Sequence, residues 1–269
     1  MSVTYPLGFR AGGIQAGLRT TPGLDLALIV NDGPADVVAG VFTTNRVCAA
    51  PVQWSRHATA DHKARAVIVN AAVANACTGI NGFADCDITF SRVDSDACMS
   101  TNDTVVAMAS GASGISLTGD ELTDALTELC AILARQLVAD AEGSHHDVKV
   151  TVTGAISTEA AVAVAREVTR SNLVKTAIAG NDPNWGRILA AIGCVPENVA
   201  PFDPDQVDVS INDIQICKAG GIGEDRNLVD MRPREVHIDI ELHAGDAEAA
   251  VWTNDLTHQY VEENSAYTS

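Results

Sequence analysis

Positive charge is scarce in this sequence. Seventeen Lys and Arg residues stand against thirty-five Asp and Glu, a net charge of −18 at pH 7, and lysine occurs only as Lys63, Lys149, Lys175 and Lys218. Binding to a phosphate backbone draws its affinity from clustered Lys and Arg, so nucleic acid is not an expected partner. An acidic, lysine-poor surface resists self-association; it serves either plain solubility or adaptation to salt. No run of 18 or more apolar residues is present to span a bilayer, and "MSVTYPLGFRAGG" lacks the basic end and apolar stretch of a signal peptide, so no membrane association is expected and the chain is placed in the cytoplasm. The seven cysteines (Cys48, Cys77, Cys86, Cys98, Cys130, Cys194, Cys217) are odd in number and form no CxxC, a pattern of reduced structural thiols, not of a disulfide framework. A GxSxG elbow is also missing, which leaves a Ser/His/Asp triad without its local signature.

What is present is enough apolar material for a substantial core. Hydrophobic residues make up 46% of 269 positions, sufficient for one large domain or two modest ones. Short β-branched runs bounded by Gly, Pro, Asn and Asp ("DLALIVNDG", 25–33; "AGVFTTNRV", 39–47; "KARAVIVNAAVAN", 63–75) predict buried strands and a β-rich first third. Over 118–142, Leu122, Leu126, Leu129, Ile132, Leu133 and Leu137 recur at three-four spacing, with Thr118 as N-cap and acids in the first turn, predicting an amphipathic helix with one face on a sheet. A strand over 147–155 and a helix over 157–171 opened by Ser157 follow. The alternating segments "DQVDVSIND", "IQICKAGG", "REVHIDIELHAG" and "EAAVWTNDL" suggest a small terminal sheet. The division expected is an N-terminal layered α/β region over 1–146 and a smaller C-terminal α/β region over 147–269.

Three stretches carry candidate chemistry. His145 and His146, with Glu142 before and Asp147 after, have metal-ligating side chains, but neighbours on a strand point to opposite faces, so a solvated turn is the expected reading and no metal is assigned. "GGIGED" (220–225) lacks a strand-then-helix context and reads as a loop. In "AGNDPNWGRILAAIG" (179–193), Asp182 and Pro183 open a turn, and Arg187 stands at the start of a small-residue helix whose free amides suit a carboxylate. A structural turn pinned by Trp185 explains the same residues equally well.

Several segments together carry a resemblance. "GFRAGG", "DLALIVNDGPADVVAGVFTTNRVCAAPV", "VANACTGINGFAD", "STNDTVVAMASGASG", "SNLVKTAIAGNDPNWGRILAAIG" and "TNDLTHQYVEENSAYTS" occur in an order that resembles the ornithine acetyltransferase family across nearly the whole chain. These are the bifunctional glutamate and ornithine N-acetyltransferases of arginine biosynthesis. The resemblance implies a layered α/β (α+β) fold of N-terminal-nucleophile-hydrolase-like character. It also implies a precursor that cuts itself before a threonine, and that threonine then moves acetyl from N-acetylornithine to glutamate. No cofactor is implied. The partners implied are the small molecules N-acetylornithine, glutamate and ornithine, with a homo-oligomer expected.

Against that pattern the chain is internally truncated. In the family a long block separates "ANACTG…GFAD" from "TFxxxDxDxxxSTNDT", whereas here Ala84-Asp85-Cys86 runs almost directly into Thr89-Phe90, placing the gap near 86–88. The block is where the resemblance locates the oxyanion-hole Thr-Gly, a substrate threonine, a lysine in "KGxGM" and the Ala-Thr cleavage site. This chain has no Lys-Gly and no Met-Thr pair, and its one Ala-Thr is Ala58-Thr59, in "SRHATADHKAR". No catalytic residue is therefore assigned, because an N-terminal Thr supplies both the hydroxyl nucleophile and the amine base. The resemblance leaves the substrate-binding side: Glu142, Asn264 and Ser269, although His145-His146 stands where the family has a Thr-Lys pair. Two readings follow: a transferase by descent that is impaired, or a non-catalytic remnant that binds ornithine-like amino acids or a partner subunit.

Overall fold

The computed structural model describes residues 2–18, 22–70, 92–97 and 100–266. The junction near 86–88, Ser269, and Cys77, Cys86 and Cys98 lie outside them. Packing separates the chain into two compact units, the first holding the described residues up to 70 and from 100 to 126, the second those from 92 to 97 and from 127 onward. The sequence division at 146/147 falls inside the second unit.

In the first unit, β1 (Phe9–Ile14), β2 (Leu26–Asn31) and β4 (Ala66–Asn70) form an antiparallel sheet in the order β1-β2-β4. β3 (Val37–Phe42) pairs with β5 (Thr104–Ala109) in a separate antiparallel ribbon. Strands occupy parts of the ranges predicted over 25–33, 39–47 and 63–75, the second starting earlier and ending at Phe42, but two of them are not buried as expected. Leu28 is 45% exposed and its cross-strand partner Ile68 is 62% exposed. Gly12, opposite Leu28 on β1, faces open space. A β-branched run says that a strand fits a pleated surface; it does not say that a second layer covers that surface. Helix α1 (Ala50–Ala58) was not foreseen; its sequence carries Pro51 in the first turn and Arg56 and His57 in the last, and Val52 is its buried residue.

Helix α2 (Gly119–Ala139) starts as its sequence predicts. The Thr118 hydroxyl accepts from Glu121 N–H, and the Glu121 carboxylate accepts from Thr118 N–H, a reciprocal capping box. Its buried residues are Cys130, Ala134 and Val138. The leucine stripe expected to meet a sheet instead leaves Leu122, Leu129, Leu133 and Leu137 each at least 39% exposed. Three-four spacing locates a helix's apolar face without naming its cover.

The second unit is built on a six-stranded sheet in the order β11-β6-β10-β7-β8-β9: β11 (Ala247–Asn254), β6 (Asp147–Ala155), β10 (Glu235–Glu241), β7 (Asp208–Ile211), β8 (Ile214–Lys218) and β9 (Gly221–Ile222). Only β6 and β10 run parallel. The terminal strands therefore join β6 in one sheet instead of making their own, and "GGIGED" contributes the short edge strand β9 as well as loop. Every second side chain of β6 is buried, and Val148, Val150 and Val152 meet Val236, Ile238 and Ile240 of β10 in one core. Helix α3 (Thr158–Arg170) brings Ala161, Val164, Ala165 and Val168 down on that face, its first turn capped by the Ser157 hydroxyl accepting from Ala160 N–H at 3.1 Å. α4 (Asn172–Ala179) and α5 (Trp185–Ile192) add Val174, Ile178, Ile188 and Ile192 to the same core. Cys48, Cys130 and Cys217 are buried and Cys194 exposed, with no disulfide joining them.

Truncating a central core side chain measures how much the second unit relies on this layer. Ile238→Ala is expected to lower unfolding stability by about 2–5 kcal/mol, while Leu28→Ser on the bare face of the first sheet changes it by less than about 0.5 kcal/mol; urea denaturation of both variants checks the contrast.

Candidate functional site

The turn between α2 and β6 is held from both sides. Arg234 donates to the last α2 carbonyl, Ala139 O, at 2.6 Å and to Asp147 at the head of β6 at 3.0 Å. Glu142 lies in this turn, beyond the helix predicted to reach it, and is exposed. Helix α6 (His258–Ala266) begins beside it. The Thr257 hydroxyl donates to Gly143 O at 2.7 Å and accepts from Tyr260 N–H at 3.1 Å, so one side chain caps α6 and ties it to the turn. Gly143 sits at φ +63°, and a Cβ there would lie 2.3 Å from Tyr260 N, so the turn and the helix approach more closely than any other residue allows.

That approach brings two of the expected binding residues together. Asn264 Nδ2 donates to Glu142 Oε2 at 2.9 Å and also to Tyr260 O at 3.0 Å. Both side chains are exposed, and Ser269 lies outside the described residues. On the neighbouring face of α6, His258, Glu262 and Glu263 line an open groove of about 780 Å³ with His145.

His146 is not part of a solvated turn. Its ring is 7% exposed and lies 2.8 Å from Asp255 Oδ2 through Nδ1 and 3.0 Å from Met231 O through Nε2. The other oxygen of Asp255, whose side chain is 0% exposed, accepts the backbone N–H groups of His145 and His146 at 2.9 and 3.0 Å. Both ring nitrogens are thus occupied. Among the described residues, no three His, Cys, Asp or Glu side chains are grouped to hold a metal.

A second polar cluster lies on the edge of the same sheet. Arg92 O accepts from Trp252 N–H at 2.7 Å and Trp252 O accepts from Asp94 N–H at 2.8 Å, so Val93, in the segment that follows the junction, forms an isolated parallel bridge to Trp252 of β11. Lys175 of α4, buried, donates to Ser95 O and to Thr253 Oγ1, and Thr253 in turn donates to Asp94 O at 2.6 Å. Arg170 pairs with Asp94 at 2.6 Å. Burial pulls Lys175 down to about 8, opposed by the charges of Asp94, Asp255 and Asp96. The sequence marked Lys175 only as one of four lysines; its placement within the apolar stretch "NLVKTAIA" was the signal available.

The remaining candidates resolve as structure. Asn184 caps α5 by accepting from Arg187 N–H at 3.2 Å, Arg187 donates to Leu173 O at 2.7 Å, and Asp182 pairs with Arg226, so the amide and the guanidinium of Arg187 are already engaged. Trp185 packs against the core, as the structural reading of this turn requires. Thr59 follows the last residue of α1, its hydroxyl donating to Ser55 O at 2.8 Å and its N–H to the same carbonyl at 3.0 Å.

The ArgJ family profile matches residues 10–89 and 84–269, two matches that meet where the sequence shows its break. The arginine biosynthesis bifunctional protein ArgJ of Bifidobacterium longum is 40% identical over 391 residues, covering 100% of both chains. Its counterpart from Thermobifida fusca is 37% identical over 386 residues, again covering 100% of both. With 269 residues here, more than a hundred aligned positions of each relative have no counterpart. The crystal structure of arginine biosynthesis bifunctional protein ArgJ from Bacillus halodurans superposes with a TM-score of 0.61 at 35% identity, covering 66% of this chain and 87% of that one.

Two measurements probe this geometry. Gly143→Ala is expected to lose about 1–3 kcal/mol of stability, because alanine at this φ is strained and its Cβ meets the α6 backbone; thermal unfolding reads it. A lysine whose folded pKa is depressed from 10.5 to about 8 binds fewer protons folded than unfolded between those values, so its contribution to stability rises with pH across that window. The unfolding free energy of the wild type relative to Lys175→Met is therefore expected to climb by about 3 kcal/mol from pH 8 to 10.5, checked by denaturant titration at each pH.

Proposed function

The chain belongs to the ArgJ family, and from that membership we propose that it descends from the glutamate and ornithine N-acetyltransferases of arginine biosynthesis, retaining the amino-acid-binding side of the site but not the group that transfers acetyl. The observation that carries the second half is the break itself: the two family matches meet at residues 84–89, and the aligned relatives are longer by more than a hundred positions. The lost block is where the family resemblance puts the cleavage threonine and its oxyanion donors. Ala58-Thr59 does not replace it. An acyl-transfer nucleophile needs a base beside its hydroxyl, and the Thr59 hydroxyl is spent on the carbonyl of Ser55 at a helix end.

The binding half of the proposal rests on Glu142 and Asn264, with Ser269 as the third member by resemblance. A carboxylate pairs with the cationic end of ornithine, and Asn264 Nδ2 holds that carboxylate in place at 2.9 Å. One charge-assisted contact on an exposed surface is worth little, so affinity is expected to be about millimolar or weaker and to fall with salt. N-acetylornithine, ornithine and glutamate are the proposed ligands, and no cofactor is proposed. Self-association is proposed as well, supported by the uncovered leucines of α2 and by the bare β2–β4 face. A cytoplasmic location is the remaining proposal. It accords with the biosynthetic role named for the relatives, and no described helix is long and apolar enough to cross a membrane.

The purified protein is expected to run as a single band of 28.1 kDa with its own N-terminus, to show no acetyl transfer from N-acetylornithine to glutamate, and to bind ornithine weakly in a manner that Glu142→Ala abolishes. Gel electrophoresis with N-terminal sequencing, a transfer assay and calorimetry decide it. Two fragments with a new N-terminal Thr, or measurable turnover, would overturn the loss of transfer, and tight binding indifferent to Glu142→Ala would remove the binding site.

A further inference from the structure

We propose that the uncovered leucine row of α2 in the second unit is a contact surface for a second copy of this chain, whose own α2 lies against it antiparallel about a two-fold axis near Ile132. The inference rests on the self-association proposed above, and it names the face, the partner and the orientation.

Helix periodicity divides this part of α2, from Thr127 onward, into neighbouring rows. Cys130, Ala134 and Val138 are the row that the protein itself buries. Leu129, Leu133 and Leu137 each stand one position earlier, about 100° round the helix. They form the next row and are 39%, 41% and 58% exposed. Beyond the leucines lies Ile132, half-buried, between the exposed Glu128 and Arg135. These two charges are seven residues apart, about two turns, so both stand on the same edge of the apolar surface.

The charges select the occupant and its direction. A contact between two identical copies is isologous, so whatever stands on one helix stands on the other, turned by the two-fold axis. In a parallel pair, Glu128 would meet the partner's Glu128 and Arg135 the partner's Arg135, like charge on like. Antiparallel about an axis near Ile132, Glu128 lies level with the partner's Arg135, and Arg135 with the partner's Glu128. Opposite charges then face each other at both ends of the contact. The same register sets Leu129 beside the partner's Leu133 and Leu133 beside the partner's Leu129, so the apolar rows meet between the ion pairs. Leucine spacing and charge spacing agree on this one arrangement.

The dimer is weak and reversible for reasons visible on the same surface. A single row of half-exposed leucines is small beside the roughly 1,200–2,000 Å² that stable interfaces bury. Exposed ion pairs add little affinity and fix orientation instead. Each copy also carries a net charge of −18. Salt therefore strengthens the dimer, because it screens repulsion between two acidic bodies more than it weakens two exposed pairs.

Sedimentation velocity on the full chain, from about 5 to 500 µM at low and at moderate salt, tests the proposal. The wild type is expected to pass from monomer to dimer over that range and to associate about tenfold more tightly at moderate salt. Leu129→Gln with Leu133→Gln is expected to weaken dimerisation about tenfold or more while leaving the circular dichroism of the monomer unchanged. Glu128→Arg alone is expected to weaken it as well, although the substitution makes each copy less acidic. Arg135→Glu alone does the same, and the two exchanges together restore wild-type affinity, since the pairs reform with their signs reversed. A Glu128→Arg protein that associates more tightly than wild type, as its smaller net charge alone dictates, would overturn the antiparallel contact. A double exchange no better than the single ones would overturn it too. Dimers that persist with both leucines replaced leave self-association standing and remove α2 as its surface, whereas a monomer at every concentration and salt removes both. Glu128 and Arg135 are exposed, so their variants decide the question even if the glutamine variant fails to fold.

Discussion

A carboxylate taken wholly out of water has to be met by donors, and Asp255 is met by three: the ring of His146 and the backbone N–H groups of His145 and His146. Nearly everything that shapes the candidate site hangs on that satisfaction. Because the donors come from the turn before β6 and the acceptor from the turn after β11, two neighbouring strands of the sheet are locked at the same end. The loops leaving that end, one carrying Glu142 and one opening α6, have no independent choice of position. Gly143 and Thr257 complete the fastening, the first by having no side chain to separate them and the second by bonding to both.

The same sheet edge shows a second buried polar arrangement of a different kind. Lys175 is neutralised in part by three aspartates and uses its donors on Ser95 and Thr253, anchoring the segment just past the junction. The two clusters share Asp255 as a source of negative potential. Burial works against the lysine's charge, whereas the His146 ring is held between the Asp255 carboxylate and the Met231 carbonyl.

The two units are differently finished. In the second, alternating β6 and β10 side chains meet helices that cover them, and the core is continuous from Val148 to Ile192. In the first, the sheet leaves Leu28 and Ile68 bare; the exposed leucines of α2, Leu122 in the first unit and Leu129, Leu133 and Leu137 in the second, are uncovered as well. Apolar rows of this length are unusual on the surface of a protein with a net charge of −18. Relatives of about 390 aligned residues carry a block that this chain lacks, and the break falls between the last strand of the first sheet and the segment docked on the second. Like charge on an acidic surface opposes association through such bare faces, a balance that salt shifts by screening.

The sequence by itself determined the elements whose signals are local. Ser157 and Thr118 announce helix starts because a hydroxyl and a free amide meet within one turn. The valines of β6 announce a half-buried strand because side chains alternate every residue. The order of the family segments, and the break between them, were likewise legible without coordinates, since they are properties of the chain as a string. Tertiary structure alone decided which faces were covered, because hydrophobic spacing marks a face without supplying its partner. It also turned His146 from a solvated residue into a buried donor and made Lys175 the anchor of a distant segment. Both outcomes depend on residues about eighty to one hundred and ten positions away, Asp255 and Met231 for the histidine, Ser95 and Thr253 for the lysine. No local rule reaches that far, since the free energy of a buried charge is set by the atoms that fold around it.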